Sequence, residues 1–252
     1  MKVHLKVAAM LAVLLVIATA VLMLGPNVTA ATNGKITGTV KLDGPAPHMK
    51  GIDMSKDPFC VKAHENSPAH LELVVVGKDG GLANVVLYIS QGLPPGTASQ
   101  KPSSEPVFDQ KGCMYTPHVI AMDVGQQYKV TTSDNTAHNI HPEPDPMTGN
   151  IPWNRSQPPG AQPIVQSWKA EEIAIPVKCN IHPWMQGYFV VLKTSHFAVT
   201  GEDGTFHLPN LPPGKYTVTA WQEAYGTQKQ EVTVSGGESQ TVDFVFESKS
   251  QP

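Results

Sequence analysis

The segment CNIHPWM, residues 179–185, is the feature that most restricts the fold. It places the thiol of Cys179, the imidazole of His182 and the thioether of Met185 on one short turn. The flanking runs, EEIAIPVK and GYFVVLK, are rich in β-branched and aromatic residues and predict two strands. These soft donors are most of a mononuclear copper site, whose trigonal form needs a second imidazole. The upstream segment DNTAHNIHP offers His138, and a β-sandwich brings two such distant strand ends together.

Both segments resemble the cupredoxin family, and most of all its amicyanin and plastocyanin type. CNIHPWMQGYFVVL resembles the copper loop, since two residues separate Cys from His, two separate His from Met, and Pro follows His. AHNIH resembles the segment that carries the first His ligand. The resemblance covers roughly residues 105–193. It implies a Greek-key β-sandwich, an Asn139 that hydrogen-bonds across the two loops, and one type 1 copper per chain, held by His138, Cys179, His182 and Met185.

The ligand set favours transfer of single electrons between redox partners over catalysis. Protein side chains fill all four positions, whereas catalytic metal sites generally keep one open. The chain has no His-x-His pair for a trinuclear cluster, no second Cys near Cys179 and no C-x-x-C-H haem motif. We therefore expect an electron carrier and not an enzyme. A copper chaperone or sensor is one alternative, and a cell-surface interaction module without electron transfer is another.

Two other interpretations compete with copper at residues 179–185. Zinc is one, but a thioether is a poor zinc ligand, and structural zinc sites use Cys and His throughout. The other interpretation takes Cys179 as half of a disulfide, His182 as a surface residue and Met185 as ordinary core. It requires the matching spacings of two separate segments to be coincidental.

The chain has three cysteines, an odd number that needs an explanation in an exported protein. With Cys179 on the metal, Cys60 and Cys113 remain, and an oxidising compartment would allow them to form a disulfide. That pairing is our prediction. The alternative is a second metal site built from Cys60, His64, Cys113 and His118.

The N-terminal segment, residues 1–31, is typical of a secretory signal peptide or an uncleaved N-terminal anchor. Lys2 and Lys6 precede an apolar run over residues 7–24, and small residues follow at positions 28–30. The run is just long enough to span a bilayer, so membrane contact is expected only through an uncleaved segment. We predict a periplasmic or otherwise extracytoplasmic protein. Its formal net charge of −3 and lack of a basic run exclude a nucleic-acid partner.

Turn residues punctuate the rest of the chain and predict an all-β fold. There are 23 Pro and 21 Gly, and no long stretch after residue 30 has a helical apolar period. KITGTVKLDG is a predicted strand, and residues 71–81 and 82–90 form a predicted hairpin about a Lys-Asp-Gly-Gly turn. The cupredoxin-like sandwich is predicted over residues 105–193.

The tail resembles the carboxypeptidase regulatory-like, or transthyretin-like, β-sandwich, a smaller Ig-like module. The resemblance rests on Asp203-Gly204 followed by L-P-P-G-x-Y, and it indicates fold rather than activity. We assign residues 194–252 to this module. Because that is short for a whole sandwich, we expect the strands of residues 32–104 to pair partly with it, which makes the cupredoxin an insertion.

We expect redox partners to dock around His182 and Trp184, and on the Pro-rich loop 142–163. The proposed path for electrons is an exposed edge of the His182 imidazole. Met147, Ile151 and Trp153 give the loop an apolar character that suits docking, although Trp153 could equally pack into the sandwich.

Overall fold

The computed structural model describes residues 32–97 and 104–248. The predicted signal or anchor, residues 1–31, lies outside them. Within the described part of the chain, no helix has both the length and the apolar character needed to cross a membrane.

The described residues form strands with one short helix, so the predicted all-β fold class is confirmed. The helix is α1 (Pro58–Ala63). In chain order the strands are β1 (Gly34–Asp43), β2 (Val86–Gln91), β3 (Val107–Lys111), β4 (Met114–Thr116), β5 (Val119–Asp123), β6 (Tyr128–Thr132), β7 (His138–Pro142), β8 (Arg155–Gln157), β9 (Ile164–Gln166), β10 (Glu172–Lys178), β11 (Gln186–Leu192), β12 (Phe197–Val199), β13 (Thr205–Leu211), β14 (Gly214–Gln222), β15 (Gly226–Val234), β16 (Ser239–Thr241) and β17 (Phe244–Glu247).

The smaller sandwich joins the two ends of the described chain. One of its sheets has the order β13-β1-β16, with β17 also paired to β1, and the other has the order β12-β2-β14-β15. Strand β1 runs antiparallel to β13 and parallel to β16 and β17. Between the sheets lies an apolar core that includes Ile36, Leu87, Tyr216 and Phe244. The segment between β2 and β12 is therefore inserted into this sandwich.

The inserted segment forms the larger sandwich, with sheet orders β5-β11-β10-β7-β8 and β4-β3-β6-β9. Its core is aromatic and centres on Phe189. The Phe189 ring lies 4.8 Å from that of Phe108, 5.0 Å from that of Tyr128 and 6.1 Å from that of Trp168, measured between centroids. Such contacts fix the two sheets and so the strand ends at the site.

A third apolar cluster joins the two sandwiches. It contains Val86 and Trp221 from the smaller sandwich and Val119, Ala121, Val190 and Leu192 from the larger one. Every residue of β5 is buried, because apolar side chains cover both faces of this strand.

The predicted hairpin over residues 71–90 is wrong in its arms. The turn itself forms, with Gly77 N–H donating to Gly81 O at 2.9 Å and Gly80 N–H to Gly77 O at 3.1 Å. Beyond the Val76–Leu82 bridge the two arms separate. Leu82 N–H donates to Val40 O, so the chain after the turn pairs with β1 before β2 begins at Val86.

His118 links the sandwiches electrostatically and gives a prediction on pH. Its Nε2 is hydrogen-bonded to Glu223 Oε1, its Nδ1 lies 3.7 Å from Glu72 Oε2, and its ring meets Tyr188 edge-on. Burial opposes protonation, but the hydrogen bond to Glu223 and the charges of Glu223 and Glu72 outweigh it, so the pKa of His118 is raised.

A raised pKa means that this contact stabilises the folded state fully below about 6.5 and that the contribution is lost as pH rises through the higher folded value. His118→Gln should therefore lower the free energy of unfolding more at pH 6 than at pH 9. Urea titrations at both pH values measure the difference, with the exposed His207→Gln as control. An equal loss at both pH values would contradict the prediction.

Candidate metal centre

The structure brings three of the four predicted ligands together at one end of the larger sandwich. His138 is the first residue of β7, and Cys179 follows directly after the last residue of β10. These strands are neighbours, with Lys178 paired to His141. The pairing carries His138 to the loop that holds Cys179 and His182, and one ligand atom from each lies within 4.8 Å of the others.

The two imidazoles face each other through their Nδ1 atoms. His138 Nδ1 lies 2.9 Å from His182 Nδ1, and Cys179 Sγ lies 3.8 Å from His182 Nδ1. All three residues are at most 2 % exposed. The donor atoms therefore converge on one point that is closed to water.

Met185, the fourth predicted ligand, is completely buried at the end of the same loop. Its N–H donates to His182 O at 2.9 Å, and its carbonyl accepts the N–H of Cys179 at 3.2 Å. These bonds fold the loop back on itself, so the residue spacing of CNIHPWM produces one compact turn. The thioether is thereby held in the apolar cluster that also contains Cys179.

Backbone N–H groups surround the Cys179 sulfur. Asn139 N–H lies at 3.5 Å and His182 N–H at 3.4 Å. Burial raises the pKa of the thiol, but hydrogen bonds from His138 and from the backbone of Asn139, His182 and Ile181 outweigh it and lower the pKa overall. The thiolate is the form that binds metals.

Asn139 connects the two loops. Its Oδ1 accepts the N–H of Asn180 at 2.6 Å and faces the Cys179 thiol at 3.4 Å. Its Nδ2 donates to Asn154 Oδ1 at 2.7 Å. The side chain thus spans the site in the way that the cupredoxin resemblance implies.

Each imidazole has a carboxylate on its outer nitrogen. His138 Nε2 lies 2.8 Å from Asp134 Oδ2, and His182 Nε2 lies 3.1 Å from Asp57 Oδ2. Ligating histidines commonly donate their second N–H to such a partner. Sequence reasoning missed both carboxylates. For Asp134 a signal existed, since it precedes His138 by four residues.

These carboxylates affect the two histidines differently. Burial lowers the pKa of His138, but hydrogen bonds to Asp134 and Cys179 outweigh it and raise the pKa to about 9. Burial lowers the pKa of His182, the charge of His138 adds to this, and the bond to Asp57 only partly opposes them. His182 therefore remains the more readily neutral imidazole, the state in which a histidine binds metal.

The predicted disulfide between Cys60 and Cys113 is confirmed, with an S–S distance of 2.04 Å. It excludes the alternative second metal site, because neither sulfur is a free thiol. The other two residues of that alternative have different partners, since His64 Nε2 contacts Gly112 O at 2.6 Å and His118 contacts Glu223.

The predicted exposed edge of His182 is wrong, since this residue is only 2 % exposed. Asp57 binds its outer nitrogen, and Cys60 Sγ lies 3.7 Å from the same atom. Trp184 packs on the ring at 5.1 Å between centroids and donates its indole N–H to Cys113 O at 3.0 Å. The segment around α1 and the disulfide thus covers the site.

The loop over residues 142–163 has a mixed surface. Met147 is 91 % exposed and Ile151 is 70 % exposed. Trp153 is half-buried against the core of the larger sandwich, and the Arg155 guanidinium lies 5.8 Å from its ring centroid. The apolar surface predicted for docking is present at Met147 and Ile151, whereas Trp153 is largely committed to packing.

The donor set fits a soft metal ion. Two imidazole nitrogens and a thiolate sulfur converge, a thioether belongs to the same loop, and both outer imidazole nitrogens are held by carboxylates. Thiolate and thioether together select for soft ions, and a His₂Cys set with a weak axial Met is a blue-copper arrangement.

Comparison with known proteins identifies one family along the sequence. Residues 185–247 match the carboxypeptidase regulatory-like domain, which confirms the resemblance drawn from the tail. The matched segment includes β11 of the larger sandwich as well as β12–β17. No curated protein matches the chain.

Some solved structures are similar to part of this chain. A copper-containing nitrite reductase from Thermus scotoductus SA-01 is 17 % identical over 41 % of this chain and 25 % of its own, with a TM-score of 0.31. A purple cupredoxin from Nitrosopumilus maritimus is 18 % identical over 35 % of this chain and 100 % of its own, with a TM-score of 0.29. The oxidised P96G mutant of amicyanin is 16 % identical over 42 % and 98 %, with a TM-score of 0.31. The chain thus spans about a quarter of the nitrite reductase.

Proposed function

We propose that this protein holds one copper ion per chain in a type 1 centre and carries single electrons between redox partners. The observation that carries the proposal is the convergence of His138 Nδ1, Cys179 Sγ and His182 Nδ1 within a buried site, with Met185 at the end of the same loop. When bound there, copper would supply a one-electron couple between Cu(I) and Cu(II).

The same residues favour copper over zinc. Structural zinc sites use Cys and His throughout, whereas this loop adds a thioether. The two imidazoles and the thiolate accept both oxidation states of copper, and Met185 suits Cu(I). Strand pairing on one side and the hydrogen bonds of Asn139 on the other hold the donors in place, which limits rearrangement when charge changes.

The enclosure of the site favours a carrier over an enzyme or a chaperone. A catalytic metal needs an open position, and a chaperone must release its ion. His138, Cys179, His182 and Met185 are each at most 2 % exposed, and Asp57 and the Cys60–Cys113 disulfide lie over His182. Electrons can pass such a cover, whereas substrates and exchanging ligands are excluded.

The proposal includes an extracytoplasmic location and a partner that docks beside the covered centre. The disulfide is consistent with an oxidising compartment. Met147 and Ile151 offer apolar contacts on the 142–163 loop, and the half-buried Trp184 lies against His182. Membrane attachment, in this proposal, is confined to residues 1–31.

The test is spectroscopic and electrochemical. Protein exported to a bacterial periplasm with added copper should contain one copper per chain and be intensely coloured when oxidised. It should also give a type 1 electron paramagnetic resonance spectrum. One-electron reduction should bleach the colour reversibly without loss of metal, as voltammetry and metal analysis measure. A colourless copper-loaded protein, or release of copper on reduction, would refute the proposal.

A further inference from the structure

The Cys60–Cys113 disulfide lies beside both imidazoles. Cys60 Sγ lies 3.7 Å from His182 Nε2, and Cys113 Sγ, Asp134 and His138 form a second buried group with ligand atoms within 4.8 Å. Each half of the disulfide therefore neighbours one imidazole and the carboxylate that binds it.

On one half, Asp57 connects the disulfide to His182. Its Oδ1 accepts the N–H groups of Phe59 at 2.8 Å and Cys60 at 3.3 Å, which caps α1. Its Oδ2 accepts from Thr136 Oγ1 at 2.8 Å and faces His182 Nε2 at 3.1 Å. Oδ1 thus caps the helix, and Oδ2 contacts the imidazole of the site.

On the other half, Asp134 makes the equivalent connection to His138. Its Oδ1 accepts the N–H of Gly112 at 2.7 Å, and its Oδ2 accepts the N–H of Cys113 at 2.7 Å. The same Oδ2 faces His138 Nε2 at 2.8 Å. The Asp134 side chain is 4 % exposed, so its charge is held by these bonds rather than by water.

We propose that Asp57 and Asp134, tied together through the Cys60–Cys113 disulfide, are positioning residues that keep both imidazoles turned with Nδ1 toward Cys179 before any metal binds. This inference rests on the proposed copper function. The unit formed by the two carboxylates and the disulfide is called the imidazole frame below.

The frame acts through hydrogen placement. A carboxylate accepts and cannot donate, so it keeps a hydrogen on Nε2 and leaves Nδ1 of each ring directed to the site. Carboxylate partners also increase the basicity of a ligating imidazole. The two negative charges favour the more positive oxidation state of the bound ion, because opposite charges attract more strongly away from water.

Asp57→Asn tests this proposal most directly. Asn remains a good helix cap, so its oxygen can keep the N–H groups of Phe59 and Cys60. Its amide nitrogen then replaces Oδ2 and donates toward His182 Nε2, which favours the tautomer with hydrogen on Nδ1, the atom that should bind metal. Asp134→Asn applies the same change to His138. Each variant tests the frame independently. If one of them fails to fold, the other still supports or overturns the proposal.

The matched control is Asp109→Asn. Asp109 also belongs to the larger sandwich and also accepts two side-chain hydrogen bonds, from Thr131 Oγ1 and Ser133 Oγ, each at 2.6 Å. Its side-chain partners are not His138 or His182, so Asp109→Asn reports the effect of losing a hydrogen-bonded carboxylate elsewhere in the same sandwich.

Nitrogen-15 spectra of the metal-free proteins should show a hydrogen on Nε2 of both rings in the wild type, with one further hydrogen shared across the 2.9 Å between the two Nδ1 atoms. The tautomer of His182 alone should change in Asp57→Asn, that of His138 alone in Asp134→Asn, and neither in Asp109→Asn. In copper-loaded protein, each frame variant should lose about 10- to 100-fold in Cu(II) affinity. A tenfold loss confined to Cu(II) corresponds to a reduction potential about 59 mV higher.

The outcomes separate the frame from the copper function. If the wild type gives a type 1 spectrum but the frame variants match Asp109→Asn in tautomer, affinity and potential, the frame is overturned and the copper function stands. If the wild type binds no copper, the proposed function fails, and the metal-free spectra still support or overturn the frame.

Discussion

Cys179→Ser should abolish the visible colour of the copper-loaded protein and weaken Cu(II) binding far beyond the 10- to 100-fold expected for loss of an outer partner. The colour of a blue-copper site depends on bonding between copper and a thiolate, which a hydroxyl cannot replace. The fold should survive, because a serine oxygen can still accept from the N–H groups of Asn139 and His182. Absorbance and copper competition measure both effects.

Met185→Leu is the matched control for that experiment. It changes the other sulfur ligand of the same loop and leaves the thiolate and both imidazoles, so colour should persist with a changed reduction potential. Unfolding by urea should show that both variants remain folded. A Cys179→Ser protein that keeps its colour would remove Cys179 from the centre and with it the type 1 assignment.

The second large effect is expected from removing the disulfide. Replacing Cys60 and Cys113 together by Ser should lower the free energy of unfolding by about 4 kcal/mol, the chain-entropy value for a sequence separation of 53 residues. The loop that it closes, from Cys60 to Cys113, contains the whole of β2 and β3. Urea unfolding of the oxidised wild type and the double variant measures the difference.

Reduced wild-type protein is the control for the two substitutions. It retains both sulfur atoms and should lose a similar amount of stability, so that the bond rather than the side chains accounts for the change. A loss below about 1 kcal/mol in the double variant would show that the unfolded chain is already restricted by other means.

Most of the site could be predicted because three of its four expected ligands lie close together in the sequence. Cys179, His182 and Met185 share one loop, so their order in the sequence almost determines their proximity. His138 required only that two strand ends meet, which β7 and β10 provide. The disulfide followed from the odd number of cysteines and the compartment expected of an exported chain.

The features that could not be predicted from the sequence depend on contacts between segments that are far apart in the chain. Asp57 is 125 residues from His182, and no spacing rule connects them. Its segment lies between β1 and β2, outside the stretch that resembles cupredoxins, and its position over the imidazole arises from tertiary packing. For this reason the sequence predicted an exposed His182, whereas the folded chain encloses it. The hairpin arms failed similarly, because the groups that would continue them have distant partners: Val85 N–H donates to Thr200 Oγ1, and Leu73 O accepts from Gln222 Nε2.

The shared apolar cluster between the sandwiches has a practical consequence for preparing the protein. Cutting out residues 105–193 would remove Val86 and Trp221 from their places against Val119 and Val190, which are at most 2 % exposed. The excised fragment would expose a contiguous apolar surface to solvent and would tend to self-associate. Laboratory work on the candidate metal centre therefore requires the carboxypeptidase regulatory-like strands to be produced with it in one polypeptide.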